Sequence, residues 1–292
     1  MIPLRTTILG FDFSKGSKHA LAHAVDWVER CGGELVLAHA TPGPAGVLVP
    51  LAETAPVFVD TSELDDAMRA RLERVAHGFD DRKFKVRAEL LLGAPGSSLL
   101  ECIEREKADL TIVGADESGL RTALLGSVAE TVAREAAGPV LVARGTKCEV
   151  ANGVVVGVDL SPHSRAALKI AAEVATAFGA PLTVVYVTPP ILESRSAKDD
   201  GKAVWRQVRA SAEKTLGEWT SGLRAKIEIR EGDPAKELLS CMKEREAGLL
   251  VLARRGRSLL ERLLMGSVVS KVLRKAGFPV LVVPRARAKA AK

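Results

Sequence analysis

The second half of the chain repeats the first, and this repeat limits the possible folds more than any other feature. TTILGFDFSKGS near the start returns as GVVVGVDLSPHS, setting Asp12 against Asp159, and ELVLAHATP returns as PLTVVYVTP at the same offset, with Thr41 on Thr188. Further along, GAPGSSLLECIEREKADLTIVG returns as GDPAKELLSCMKEREAGLLVLA, and LLGSVAETVAREAAGPVLVA as LMGSVVSKVLRKAGFPVLVV, so Gly93 falls on Gly232 and Gly126 on Gly266. Order and spacing are both kept. A chain of 292 residues repeated in this way predicts two domains of one fold, over 1–146 and 150–284, meeting near the short polar KCEVAN segment and followed by a basic tail over 285–292.

Within each half, short runs of Val, Leu and Ile alternate with longer helical patterns, which predicts an α/β fold with a parallel sheet covered by helices. Strands are expected at Thr7–Gly10, Leu35–Ala40, Lys85–Leu91, Leu110–Val113 and Val140–Ala143, and again at Val154–Val158, Leu182–Val187, Lys226–Ile229, Leu249–Leu252 and Val280–Val283. Their near-continuous apolar character fits strands buried on both faces. Helices are expected at Ser17–Cys31, Thr61–His77, Pro95–Glu106 and Ser127–Ala136, with counterparts starting near Ser164, Ala197, Pro234 and Ser267. Ser17 and Ser164 stand where an N-cap is wanted, and Pro95 and Pro234 suit the first helical turn.

Composition removes several function classes. Hydrophobic residues make up 47% and charged residues 27%, which is ordinary globular usage, and aromatics at 4% leave aliphatic side chains to form the core. No apolar run is long enough to span a membrane, and Met1–Asp12 leads straight into a strand-like run without a signal-peptide pattern, so a cytoplasmic location is expected. Cys31, Cys102, Cys148 and Cys241 form no CxxC pair and read as reduced core residues. Of the net charge of +6, Arg285, Arg287, Lys289 and Lys292 supply four in the last eight residues. The body carries too little charge for a polyanion, no stacking motif accompanies the tail, and no nucleic-acid partner is expected.

Ligands of open parallel sheets bind beyond the carboxyl ends of strands, where the strand order reverses. This directs attention to the loops after the first and fourth strands of each half. The first loop reads Asp12-Phe-Ser14-Lys-Gly-Ser17 and again Asp159-Leu-Ser161-Pro-His-Ser164. A carboxylate there accepts hydrogen bonds from a ligand, or it forms an Asx turn that starts the helix, and the pattern leaves both readings open. After the fourth strand the second half reads Ala253-Arg-Arg-Gly256, nine residues, then Gly266-Ser267. Glycines admit an anion close to the backbone, the helix N-terminus favours phosphate, and Arg254, Arg255 and Arg257 add positive charge.

On these residues the chain resembles the universal stress protein family in its tandem form, whose nucleotide-binding members carry G-x2-G-x9-G-[S/T] after the fourth strand and an acidic residue after the first. The resemblance covers essentially the whole chain. It implies two tandem domains, each a five-stranded parallel open sheet with helices on both faces, Rossmann-like and akin to the adenine nucleotide alpha hydrolase fold. The domains are expected to pair within one chain through the closing strands at Pro139–Val142 and Pro279–Val282. It further implies ATP in the second domain, with Asp159 on the adenosine moiety, Val187 on the base through its backbone, and Gly256, Gly266, Ser267 and Val268 around the phosphates. Ala253 stands where the family has its first glycine, Arg255 is a neighbour of the phosphates, and Mg accompanies them without a dedicated carboxylate cage. In the first half Asp116 and Glu117 replace the positions of Arg255 and Gly256, the loop is one residue shorter, and two carboxylates repel a triphosphate, so that half is expected not to bind ATP.

The resulting expectation is an ATP-binding regulatory or protective protein with protein partners of unnamed kind, a homodimer being a further option. The alternatives are a scaffold that binds no nucleotide and a slow ATP hydrolase. No P-loop, dinucleotide fingerprint or nucleophile elbow occurs, and no general base is evident beside the phosphates. His19 and His23, four apart, read as a half-exposed helical pair rather than a metal site, for want of a third ligand. His163 is either a turn residue or a ligand neighbour. Trp205 and Trp219 share one face of a long helix, and Pro42–Pro56 is the longest irregular stretch of the first half.

Overall fold

The computed structural model describes residues 4–42, 47–49, 57–59, 62–115, 126–188, 198–256 and 265–284, with 47–49, 57–59 and 198–205 as backbone alone. The chain divides into two compact units, Pro3–Lys147 and Cys148–Lys292, the second also taking in Met1 and Ile2.

The N-terminal unit runs β1 (Thr6–Gly10), α1 (Lys15–Cys31), β2 (Glu34–Thr41), β3 (Val47–Val49), β4 (Val57–Val59), α2 (Ser62–His77), β5 (Lys85–Leu92), α3 (Pro95–Arg105), β6 (Leu110–Gly114), α4 (Ser127–Glu135) and β7 (Val140–Ala143). Its five-stranded parallel sheet has the order β7-β6-β1-β2-β5. The C-terminal unit opens with a 3-10 turn at Val150–Asn152. It continues through β8 (Val154–Val158), α5 (Pro162–Phe178), β9 (Leu182–Thr188), α6 (Lys198–Trp219), β10 (Ala225–Glu231), α7 (Pro234–Glu244), β11 (Leu249–Ala253), α8 (Ser267–Lys275) and β12 (Val280–Val283). Its strand order is β10-β9-β8-β11-β12, again parallel. In each unit the chain winds outward on one side of the first strand and then crosses to the other. The order therefore reverses between β1 and β6 and between β8 and β11, where the strand ends splay apart.

The strand runs are buried for the reason their composition gives. Val154, Val155 and Val156 are each at most 1% exposed, as are Leu249, Leu250 and Val251, because helices cover both faces of the sheet. The expected elements are all present, with ends shifted by one or two residues. Two strands were not anticipated: β3, inside the stretch read as irregular, and β4, just after it, form a short antiparallel pair. Its short segments carry no strong period of their own.

Two expectations are corrected. Helices α1 and α5 are capped by Ser14 and Ser161, three residues before Ser17 and Ser164, and the two later serines give their backbone N–H groups to the caps at 3.1 and 3.2 Å. The cap must accept from the N3 amide, and this spacing of three is the reason both serines recur. His19 and His23 are not a half-exposed pair, since His23 is fully buried under the end of β7. Its Nε2 lies 3.1 Å from the Arg144 carbonyl and 3.2 Å from that of Gly145, so Nε2 carries the proton. Trp219 lies with its ring 5.6 Å from the Arg165 guanidinium, while the Trp205 side chain lies outside the described residues. Cys31, Cys102 and Cys241 are buried free thiols and Cys148 is half-buried. Burial pushes the Cys102 thiol up to about 11, so it stays protonated and unreactive.

His23 has a consequence for stability. Burial pushes its imidazole below the ordinary 6.5, against the opposing pull of the two carbonyls. The folded state then refuses a proton that the unfolded chain accepts, so stability is full above about pH 6.5 and is lost as pH falls from there toward the folded value. The slope approaches about 1.4 kcal/mol per pH unit for a single proton. Urea denaturation between pH 7 and 5 measures it, and His23→Gln, which keeps a neutral donor, is expected to flatten the slope.

Candidate functional site

At the switch point of the C-terminal unit lies a half-open cavity of about 270 Å³. All eight residues expected at the site, Asp159, Val187, Ala253, Arg255, Gly256, Gly266, Ser267 and Val268, line it. They come from four separate segments.

The first segment follows β8. The Oδ1 atom of Asp159 accepts the Ser161 N–H at 3.1 Å, closing an Asx turn. Leu160 within that turn adopts the left-handed conformation at φ 61°, a cost of roughly 1 kcal/mol that the surrounding hydrogen bonds impose. Ser164 Oγ donates to the Ser161 carbonyl at 3.0 Å and accepts the Asp159 N–H at 3.2 Å. The turn reading of Asp159 is thus realised, and it also aims the carboxylate. The other oxygen, Oδ2, faces Gly256, where an added Cβ would sit only 2.4 Å away. A side chain at 256 would have to push that carboxylate oxygen aside. His163, in the same turn, does not line the cavity.

The second segment follows β11. Gly266 donates its N–H to the Arg254 carbonyl at 3.0 Å, which ties the two ends of the 257–264 loop together. That loop, including Arg257, lies outside the described residues, as do Asp116 and Glu117 of the first half. Gly266 is the N-cap of α8 and offers no side-chain cap. The first intrahelical bond runs from Ser270 N–H to the Gly266 carbonyl, which leaves the amides of Ser267, Val268 and Val269 as the helix's orphan donors, and all three residues line the cavity. By contrast α1, α5 and α7 carry side-chain caps from Ser14, Ser161 and Asp233. The first turn of α8 has no acidic residue and its last turn has Arg274 and Lys275, so the dipole at the cavity end is uncompensated.

The remaining walls are apolar. Val185 and Val187 share one face of β9, and Pro234 and Leu238 stand one turn apart on α7. Val185 and Leu238 were missed by reading the motif alone. Strand alternation from Val187 and the i, i+4 step from Pro234 carry the signal that would have found them. The cavity therefore joins an apolar slot, one carboxylate and an array of amides at a positive helix end. It suits an amphipathic ligand with a ring at one end and an anion at the other. Among the described residues no cluster of three or more His, Cys, Asp or Glu side chains stands ready for a metal.

Comparison with known proteins matches this description. The pattern of the universal stress protein family fits residues 4–144 and again 152–284. A universal stress protein of Mycobacterium tuberculosis is 29% identical over 211 residues, covering 69% of this chain and 70% of its own. Another from Methanocaldococcus jannaschii is 33% identical over 144 residues, covering 45% of this chain and 81% of its own. The crystal structure of a universal stress protein from Archaeoglobus fulgidus superposes with a TM-score of 0.71 at 22% identity, covering 96% of this chain and 98% of that one, and so shares the fold. With two matches in succession, each carrying its own five-stranded parallel sheet, the chain belongs to the universal stress protein family as a tandem of two family domains.

Proposed function

We propose that the chain is an ATP-binding regulatory or protective protein that holds one nucleotide in its C-terminal half. The observation that carries this reading is that the uncapped N-terminus of α8 opens into the same cavity as Asp159 and the Val185–Val187 wall. In this reading Asp159 accepts from the ribose hydroxyls and the backbone of Val187 meets the base. Gly256, Gly266, Ser267 and Val268 surround the phosphates beside Ala253, with the orphan amides of Ser267 and Val268 as donors, and Arg255 adds charge. A triphosphate brings its own divalent ion. Asp159 is the single carboxylate among the described lining residues, so Mg would be held mainly by phosphate and water, with at most that one protein oxygen. Occupancy biases the shape of the chain and so its choice of protein partner.

The enzymatic alternative has weaker support. Asp159, the only carboxylate among the described lining residues, has one oxygen committed to its own turn. Native mass spectrometry of the full chain with Mg-ATP tests the proposal. One ATP per chain is expected; two would contradict the assignment to one half, and none would return the chain to the scaffold reading.

A further inference from the structure

The seam between α7 and α8 carries a charge pair that stands outside the glycine motif. Lys271 Nζ donates to Asp233 Oδ2 at 3.0 Å, across 38 residues of chain. Each partner stands beside the C-terminal cavity. Asp233 directly precedes Pro234, which lines it. Lys271 lies one helical turn beyond Ser267, on the same side of α8; Ser267 both lines the cavity and is exposed, which places it at the mouth. A helical side chain leans back over the turn on its N-terminal side. The Lys271 stem therefore covers the turn of Ser267 and Val268, whose amides have no intrahelical partner.

The fold does not need this pair. In the N-terminal unit Ala94 and Thr131 hold the corresponding positions and cannot form one. There α3 and α4 meet by direct contact, since a Cβ on Gly96 would lie 3.3 Å from Thr131 Cγ2. The first turn of α4 also carries Glu130, where α8 has Ser270. Over two successive positions the helix start at the C-terminal cavity thus lacks an acid and gains a cation.

Asp233 has a second task on its other oxygen. Oδ1 accepts the Lys236 N–H at 3.1 Å and caps α7. The Lys271 ammonium and that amide hold the carboxyl below its ordinary range, so both charges are present at neutral pH. Because cap and pair use different oxygens, the pair can open while the cap stays closed. The lysine side chain is 58% exposed and that of the aspartate 34%, and ion pairs this open to water are weak. A multiply charged anion at the amides of Ser267 and Val268 outcompetes one solvated carboxylate for the same ammonium. Lysine suits such an exchange, being a point charge on a flexible stem.

We propose that Lys271 is a phosphate-binding residue of the C-terminal cavity that exchanges between Asp233 and the phosphates of the bound ligand, with Asp233 as the competitor that limits affinity. The proposal rests on the nucleotide reading of that cavity and adds to it a residue beyond the glycine motif and a regulating counter-charge.

The test titrates the full chain with Mg-ATP and with adenosine by calorimetry, unsubstituted, as Lys271→Met, as Asp233→Asn and with both substitutions. Methionine keeps the length and helix propensity of lysine without its charge. Asparagine is an equal N-cap whose oxygen serves the Lys236 amide, while its amino group cannot accept from lysine. The single substitutions are expected to move ATP affinity in opposite directions, Lys271→Met weakening it about tenfold and Asp233→Asn strengthening it about threefold. In the double variant the gain from Asp233→Asn disappears, because the ammonium it frees is gone. Adenosine, which carries no phosphate, should bind all four forms alike. A strap that only holds the two helices together would lower ATP and adenosine affinity in both single variants, and that result overturns the proposal. So does an ATP affinity indifferent to Lys271→Met, or a gain from Asp233→Asn that persists without the lysine. Failure of the nucleotide reading registers differently, as no ATP uptake by the unsubstituted chain, and it overturns this proposal as well.

Discussion

Gly266→Asp is expected to abolish ATP binding while leaving the fold as stable as before or more so. At φ −55° and ψ 143°, Gly266 occupies extended backbone that any residue adopts, and a Cβ there would sit 3.3 Å from the Arg254 carbonyl, a close but adjustable contact. The position is an N-cap, where aspartate is among the preferred residues because its carboxylate accepts from the N2 or N3 amide. The substitution should therefore add a few tenths of a kcal/mol of helix stability. The same carboxylate takes the amides proposed for phosphate and sets a fixed negative charge at the helix end. A loss of at least about 100-fold in ATP affinity, equivalent to about 2.7 kcal/mol, is expected by calorimetry. Urea denaturation of the same sample would show an unchanged or raised midpoint. Gly126→Asp is the matched control: Gly126 is likewise an N-cap at φ −57°, with open space around an added Cβ. It should stabilise the chain equally and leave ATP uptake unchanged. Retained ATP binding in Gly266→Asp would remove α8 from the nucleotide site.

The second large effect concerns a glycine away from the cavity. Gly248 precedes β11 and donates its N–H to the Gly153 carbonyl at 3.0 Å. A Cβ at this position would lie 1.8 Å from the Glu149 carbonyl oxygen and 2.1 Å from its carbon. Neither atom belongs to a side chain that can swing aside. They lead into the 3-10 turn, where Val150 is fully buried and anchors the backbone. Gly248→Ala is expected to cost about 3 kcal/mol, at the upper end of overpacking penalties, because β11 must shift within a sheet paired on both sides. Denaturant titration reads this as a fall in midpoint at constant slope. β11 also carries Ala253 at its end, so ATP affinity should fall together with stability. This behaviour contrasts with Gly266→Asp, where the two quantities part.

The strand and helix plan was legible because it depends on local geometry. The two-residue alternation of strands, the 3.6-residue turn of helices and prolines at Pro95 and Pro234 act within a few residues, and the repeat doubled every signal. The C-terminal candidate site was equally legible, since most of its residues follow β8 and β11, whose ends must meet if the sheet reverses between them, while Val187 comes from β9. The caps were misplaced by three residues because serines recur at that spacing and only the direction of the hydrogen bond tells cap from N3. The β3–β4 pair escaped notice because strands of three residues carry too few side chains to define a period.

By itself, then, the sequence determined two copies of an α/β unit, the strand ends at which a ligand would bind, and the glycine-marked helix start at α8. Only the tertiary structure decided that Gly256 lies against Asp159, that His23 is sealed beneath the carbonyls of Arg144 and Gly145, and that Gly114 packs backbone to backbone on Gly16. Each of these contacts joins residues roughly a hundred positions apart. Their distances follow from how helices settle on the sheet, and that packing is set by the whole core at once rather than by any local stretch of chain.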